Sequence, residues 1–561
     1  MNSLRWSVVV LVFGALAACG GSSGSSTGGF SVLPASASVP AGASQQFSTT
    51  GGSGGMLTWS VNGVTGGSAG TGTITGSGLY TAPSVPPTTQ PVTITASDGA
   101  STASAQATVT YSDKSLNGSF VFHFSELLGG NATNAVGLIT ADGNGNITGT
   151  EDVNGTNGQF SQVAVTGHYS LSANGLGSLT INGGSAGALS MTLNLIFGAE
   201  QGILTDASSG AVGAGNLYPQ TGQVTAGGDL SGPYTFSFGA SQLAPNDNGI
   251  GVLNLSSPSI TGTNFDENNG GAYTLYSSVT GSYTVGSGNR GNLTLTLGTT
   301  SYHYVFYAVS PQQLELMCTD TGCSDTGELD AQSTQAVVSG NYVIMGIGNG
   351  TGQTPDAWMA TGSVTSTSGT NGSLNLTQFE NNNGVYATLT NASTYTLQTN
   401  GRGVTDITTP AGARTFVFNI QSVGYWNLLE KSSGFGNISG FASATQSPAS
   451  IPAGQYVLLT VNQTPASSVA GTTQGILQIS ASGQVTGQEQ VNSGGSLSTL
   501  QVSGSITVGT TAGTYSMTLN LGGGLTANYI MAVVAPGELT LLRTDNTNVD
   551  AGDLAVQYQT Q

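Results

Sequence analysis

The sequence predicts an all-β chain: one β-sandwich followed by four tandem antiparallel β-meander domains, barrel-like or, alternatively, sandwiches. Three observations predict it. Of 561 residues, 87 are glycine and only 6% are charged, against usual shares of ~7% and ~25%. Helices need Glu, Lys, Arg and Ala on their solvent faces, and 7 Lys and Arg in all cannot supply them. Short runs alternate apolar and polar residues between Gly/Asn/Ser turns, the period-two pattern of half-buried strands. The same pattern then returns four times along the chain.

Composition also excludes. The glycines have no period of three, so a collagen helix is ruled out. Disorder needs low hydrophobicity with high charge density, and this chain has few charges. The net charge is −19, with lysine at Lys114 and Lys431 only. Nucleic-acid binding and a polybasic membrane patch both need clustered basic side chains. The sequence contains no such cluster.

Residues 1–19 read MNSLRWSVVVLVFGALAAC. Arg5 gives a positive start, and Trp6 to Ala18 is an apolar run. The run is shorter than the ~20 residues of a membrane span and suits a signal-peptide core. Leu16-Ala17-Ala18-Cys19 resembles the lipobox of bacterial lipoproteins. The resemblance implies that Cys19 is lipidated and becomes the mature N-terminus. Gly20 after it, rather than Asp, implies the outer membrane or cell surface. A secretory signal with a chance cysteine is the alternative. Residues 20–29 form a Gly/Ser tether, spanning on the order of 17 Å.

Residues 30–112 hold about seven short strand patterns around one tryptophan, Trp59, which predicts a sandwich with Trp59 in its core. The order Val39-Pro40-Ala41-Gly42, Gln45-Gln46-Phe47, Trp59-Ser60-Val61-Asn62-Gly63, Gly72-Thr73-Ile74, Gly78-Leu79-Tyr80-Thr81-Ala82-Pro83 and Ala107-Thr108-Val109 resembles the bacterial Ig-like domain, group 2. The resemblance implies an Ig-like β-sandwich acting as a non-catalytic spacer and adhesion module.

The four repeats occupy 115–218, 229–332, 339–442 and 453–557. Their opening aromatics are Phe120, Tyr234, Tyr342 and Tyr456, separated by 114, 108 and 114 residues. Ser190-Met191-Thr192-Leu193-Asn194-Leu195 returns unchanged at Ser516 to Leu521. In the second repeat the expected strands are 233–238, 249–256, 258–265, 273–285 (one strand or two), 291–297, 301–309, 312–319 and 326–331. An eight-stranded meander has exposed edges unless it closes, and closure gives a small up-and-down barrel. Each copy should have its own core, with linkers near 219–228, 332–338 and 443–452.

Candidate chemistry is sparse. Asp142-Gly143-Asn144-Gly145-Asn146 opens like a calcium loop, but Ile147 and Val153 stand where an EF-hand needs Gly and Glu. It reads as a hairpin turn. Glu126, Glu151 and Asp152 could supply a carboxyl pair, but Glu151 and Asp152 are adjacent on a strand and face opposite sides. Gly-x-Ser-x-Gly at Ser22, Ser53, Ser68 and Ser185 lacks the strand-to-helix context of a nucleophile elbow. His123, His168 and His303 fall in no two-His metal motif, and His168 is expected to be exposed. Tyr302, Tyr304 and Phe306 share a strand face that could stack on a ligand or pack a core. Cys318 and Cys323 flank a polar turn and, in an oxidising compartment, should form a disulfide. No catalytic residue, metal or cofactor is expected. The best reading is a lipid-anchored envelope protein for display or adhesion, binding glycans or proteins. A carrier of small apolar ligands in barrel cavities is second, and a secreted hydrolase third.

Overall fold

The computed structural model describes residues 29–560 apart from 129–130, 156–157, 184–186, 197–198, 241–246, 324, 350–353, 368–370, 433–435, 447–449, 464–469 and 546–547. The leader with Cys19, the tether up to residue 28, Ser22 and Ser185 lie outside the described residues.

Alternation and Gly-rich turns give strands throughout. In the N-terminal module, Ser36–Pro40, Thr58–Val61, Val64–Thr65, Val92–Ser97 and Thr102–Thr110 form one sheet. Ser44–Gln46, Gly67–Ser68, Gly72–Ile74 and Leu79–Thr81 form another. Phe47, Trp59, Tyr80 and Ile94 are buried in one shared core, so Trp59 is a packing residue.

Each of the four repeats closes into an eight-walled antiparallel barrel. In the first, Asn117–Leu128 pairs with both Asn131–Asp142 and Ala211–Pro219. In the second, Ser231–Ala240 pairs with both Asp247–Ser256 and Asp325–Ala331. Its third wall is split into Ser259–Gly262 and Phe265–Asn269, and its fourth into Ala272–Tyr276 and Val279–Val285. In the third, Gly340–Asn349 pairs with Asn437–Ala444. In the fourth, Gly454–Gln463 pairs with Val549–Thr560, which also pairs with Glu538–Arg543. Pairing of the first wall with the eighth removes the edges an open meander would leave there. The sandwich alternative for the repeats is therefore replaced by barrels.

The side-chain pattern explains what fills them. Leu293, Leu295 and Leu297 point into the second barrel, while Asn292 is exposed and Thr294 and Thr296 are half-buried. A transmembrane barrel has the opposite arrangement, apolar outside and polar inside. Each barrel has its own apolar core. Among the described residues, no helix is long and apolar enough to cross a membrane.

The barrels are not strung in a line. Val121 and Val136 of the first pack on Val305, Tyr307 and Met317 of the second. Ile250 of the second meets Val417 and Leu429 of the third. Met345 and Met359 of the third meet Ile530 and Leu542 of the fourth. Val457 and Ile476 of the fourth return to Ile196 and Ile203 of the first. The last contact closes a ring, in which the Gly210 N–H donates to the Gly495 carbonyl at 2.9 Å.

One asparagine repeats at every junction. Asn154, Asn268, Asn381 and Asn492 stand in the third walls, separated by 114, 113 and 111 residues. Each Nδ2 donates to backbone carbonyls at the seventh-to-eighth-wall hairpin of the next barrel. The acceptors are Cys318 O at 2.8 Å, Glu430 O at 2.8 Å, Arg543 O at 3.0 Å and Ala211 O at 2.8 Å. A heterologous contact repeated with a rotation that closes gives a ring rather than a filament. Here four copies within one chain complete it.

The N-terminal sandwich is fixed to this ring. Thr89–Gln90 runs parallel to Gln559–Thr560 of the fourth barrel. Tyr111 joins the core of the first barrel, and its N–H donates to the Ala173 carbonyl at 3.1 Å.

Candidate functional site

Strand alternation decides what faces the centre of the ring. In the first barrel Phe120, Phe122 and Phe124 point inward, so Val121, His123 and Ser125 point outward. Leu329 points into the second barrel, so Glu328 and Asp330 point out. Residues of all four barrels line a partly open cavity of about 370 Å³. His123, Ser237, Glu328, Tyr425, Phe441 and Leu459 are among the residues lining it.

The wall between the first and second barrels carries the ionisable groups. His123 Nδ1 lies 2.7 Å from Glu315 Oε2. Gln313 Nε2 donates to the other oxygen of Glu315 at 3.0 Å. Glu315 stands directly opposite Glu328 in the register of neighbouring strands, and like charges so placed repel. Burial pushes Glu328 up to about 7, reinforced by the Glu315 charge and opposed by His123. Burial and then Glu328 and Glu315 push Asp330 up to about 9. Burial works against a charged His123, but the Glu315 carboxylate, by charge and hydrogen bond, holds it above its ordinary value. Burial and the surrounding carboxylates raise the Tyr218 and Tyr425 hydroxyls. The cavity thus has the His123 imidazole and the Glu328 carboxyl on one wall, with Tyr425, Phe441 and Leu459 beside polar groups such as Asn427 and Ser439 on the others. That arrangement suits a polar or cationic group held on one side and an apolar group on the other.

The aromatic stripe takes a different place from a ligand platform. Tyr304 and Phe306 are buried in the second barrel's core, and Tyr302 packs against it. Tyr304 and Phe236 meet edge to face at 5.6 Å between ring centres. Phe238 and Phe265 stack beside them. These rings fill the barrel interior, so Tyr302, Tyr304 and Phe306 form packing surface and not a stacking surface open to a ligand. The opposite face of that strand joins the neighbouring barrel, where the Tyr307 hydroxyl donates to Asp152 Oδ2 at 2.8 Å.

Cys318 and Cys323 are joined, with their Cα atoms 6.1 Å apart. Their carbonyl oxygens both accept from Asn154 Nδ2 of the first barrel, at 2.8 and 3.0 Å. The staple therefore shapes the loop that docks the neighbouring barrel.

The carboxyl trio is separated by role. Asp152 takes a bidentate bond from Arg290 of the second barrel, both contacts at 2.8 Å. Glu151 faces the other way, is buried, and is pushed up to about 7 by burial and then by Asp152. Burial and then Asp206 push Glu126 up to about 7. Asp142 caps its own hairpin turn, accepting from Asn144 N at 2.7 Å and Asn146 N at 3.0 Å. Ser53 donates to Asp98 at 2.9 Å and Ser68 pairs with Thr71. Both serines belong to the N-terminal sandwich, away from the three histidines. His168 is exposed.

Sequence reasoning missed the wall formed by His123, Glu315 and Glu328. His123 and Glu315 are 192 residues apart and in different barrels. The available signal was glutamate inside the apolar strand Gln313–Cys318, flanked by Leu314 and Leu316.

No family model matches the chain, and no curated protein matches it. Among solved structures, kievitone hydratase from Nectria haematococca is 8% identical with a TM-score of 0.16, over 40% of this chain and 90% of that one. The FrpB iron transporter from Neisseria meningitidis is 8% identical with a TM-score of 0.12, over 81% of this chain and 84% of that one. Neither likeness carries an argument about fold or function.

Proposed function

We propose that the chain is a lipid-anchored, non-catalytic binding protein of the bacterial envelope, for display or adhesion. In this reading Cys19 carries the lipid, the Gly/Ser tether gives reach, and the Ig-like sandwich joins the tether to a four-barrel head. Glycans or proteins of the cell surface are the ligands. The observation that carries the reading is the closure of four repeats into one ring fixed to the N-terminal sandwich. A rigid head presents several loops at once, and linked weak sites gain avidity through effective concentration. The aromatic filling of the second barrel leaves the carrier reading unsupported there.

Fractionation of cells expressing the Cys19→Ala variant tests the anchor: the protein should leave the membrane fraction. Unchanged retention with unchanged lipid labelling would refute it. Binding of the detergent-solubilised chain to an array of bacterial surface glycans and to envelope extracts tests the rest. Binding to neither would remove the adhesion reading.

A further inference from the structure

We propose that His123, Glu315 and Glu328 form a binding site for a divalent transition-metal cation of the zinc or manganese class, at the junction of the first and second barrels. The proposal stands apart from the anchoring and adhesion reading, and either can fail alone.

One ligand atom from each of the three residues lies within 4.8 Å of the other two. The Glu315 side chain is fully buried, and Glu328 faces it across the strand pair. Two carboxylates opposed in this way, beside one imidazole, leave an excess of negative charge that a divalent cation offsets. Zinc bonds of ~2.0–2.2 Å in a tetrahedron place ligand atoms about 3.3–3.6 Å apart. His123 Nδ1 and Glu315 Oε2 are at 2.7 Å, so a small side-chain rotation opens that spacing.

Asp330 extends the acidic face of this wall. It lies on the same outward strand face as Glu328 and is only 8% exposed. The cavity that His123 and Glu328 line leaves room for water in the remaining coordination positions. An imidazole with carboxylates favours zinc, manganese or iron over the all-oxygen preference of calcium and magnesium.

The test is calorimetry of Zn²⁺ alone into the full chain after chelator treatment and dialysis. Reductant is omitted, to keep Cys318 and Cys323 joined. One Zn²⁺ per chain should bind and raise the unfolding midpoint, while Mg²⁺ and Ca²⁺ do neither. Loss even of an outer-shell partner costs ~10–100-fold in metal affinity, so Glu328→Gln should weaken Zn²⁺ binding by at least ~10-fold. That substitution also removes a like-charge contact, so the fold should hold. His303→Ala, which removes the exposed His303–Asp320 pair, should leave binding unchanged. No stoichiometric Zn²⁺ binding, or Glu328→Gln binding as the parent does, would overturn the site. Zn²⁺ binding lost in His303→Ala would also overturn it.

Discussion

Replacing Asp266 with alanine should cost about 3–5 kcal/mol, the usual effect of removing one partner of a buried ion pair. Asp266 belongs to the second barrel and Arg402 to the third. Arg402 Nε and Nη2 donate to the two oxygens of Asp266 at 2.7 and 2.6 Å. The side chains are 4% and 0% exposed. The Tyr273 hydroxyl also donates to Asp266, at 2.5 Å. Alanine leaves a guanidinium buried without its counter-charge and a hydroxyl without its acceptor. Urea unfolding should show the loss. Asp152→Ala should cost less, because Arg290 is 12% exposed and keeps more water. Asp266→Leu with Arg402→Met should recover part of the loss, since apolar replacement of a whole buried pair is often neutral. An Asp266→Ala protein with the parent's midpoint would mean the pair does not hold the junction.

The unfolding midpoint should peak near pH 5 and fall toward pH 8.5. Buried carboxyls with raised values occur in all four barrels. Burial and then Asp152 push Glu151 up to about 7. Burial and then Glu267 and Asp325 push Asp247 up to about 8. Burial pushes Glu430 up to about 8 against the opposing pull of Arg414. Burial and then Glu538 push Asp553 up to about 7. Between about pH 4 and 8 the folded chain keeps protons that the unfolded chain has released. Stability is therefore full below the unfolded value and falls as pH rises through the folded one. A shift of one unit is ~1.4 kcal/mol, so a single carboxyl such as Glu151 contributes on the order of 3 kcal/mol. For one barrel that is about 10 °C or more in midpoint. Lowered groups set the acid side of the peak. Backbone donors hold Asp98 at about 2, and the Asn146 side chain and then backbone donors hold Asp142 at about 2, so their contribution is present above pH 4 and lost below it. Calorimetric scans from pH 3 to 8.5 check the profile, and Glu151→Gln should flatten its alkaline limb. A midpoint that rises from pH 5 to 8.5 would contradict the assignment.

The walls were legible where their two faces differ. The expected strand 291–297 is Arg290–Leu297, and 312–319 is Gln313–Cys318. The expected strand 258–265 stops too early. The segment runs on as Phe265–Asn269 because its polar residues are engaged by the third barrel rather than turning in solvent. Asp266 holds Arg402, and Asn268 donates to the Glu430 carbonyl. Polar residues at a domain junction look like a loop in a single sequence. The ring itself left one readable trace. Runs such as Phe120-Val121-Phe122 and Tyr304-Val305-Phe306-Tyr307 are apolar on both faces, which marks strands buried on both sides. The recurring asparagine keeps the repeat's spacing but does not name its partner in the sequence, because it binds backbone carbonyls and asks nothing of the partner's side chains. Of the His123 wall only Glu315, inside an apolar strand, was readable; the rest exists only once two barrels dock.

Small-angle scattering of the chain from residue 29 onward tests the cyclic closure most directly. A closed ring gives a compact particle with a radius of gyration of about 24 Å, the value expected for a globular chain of this length. An elongated profile with a radius above ~35 Å, as four barrels and a sandwich in a line would give, would contradict it.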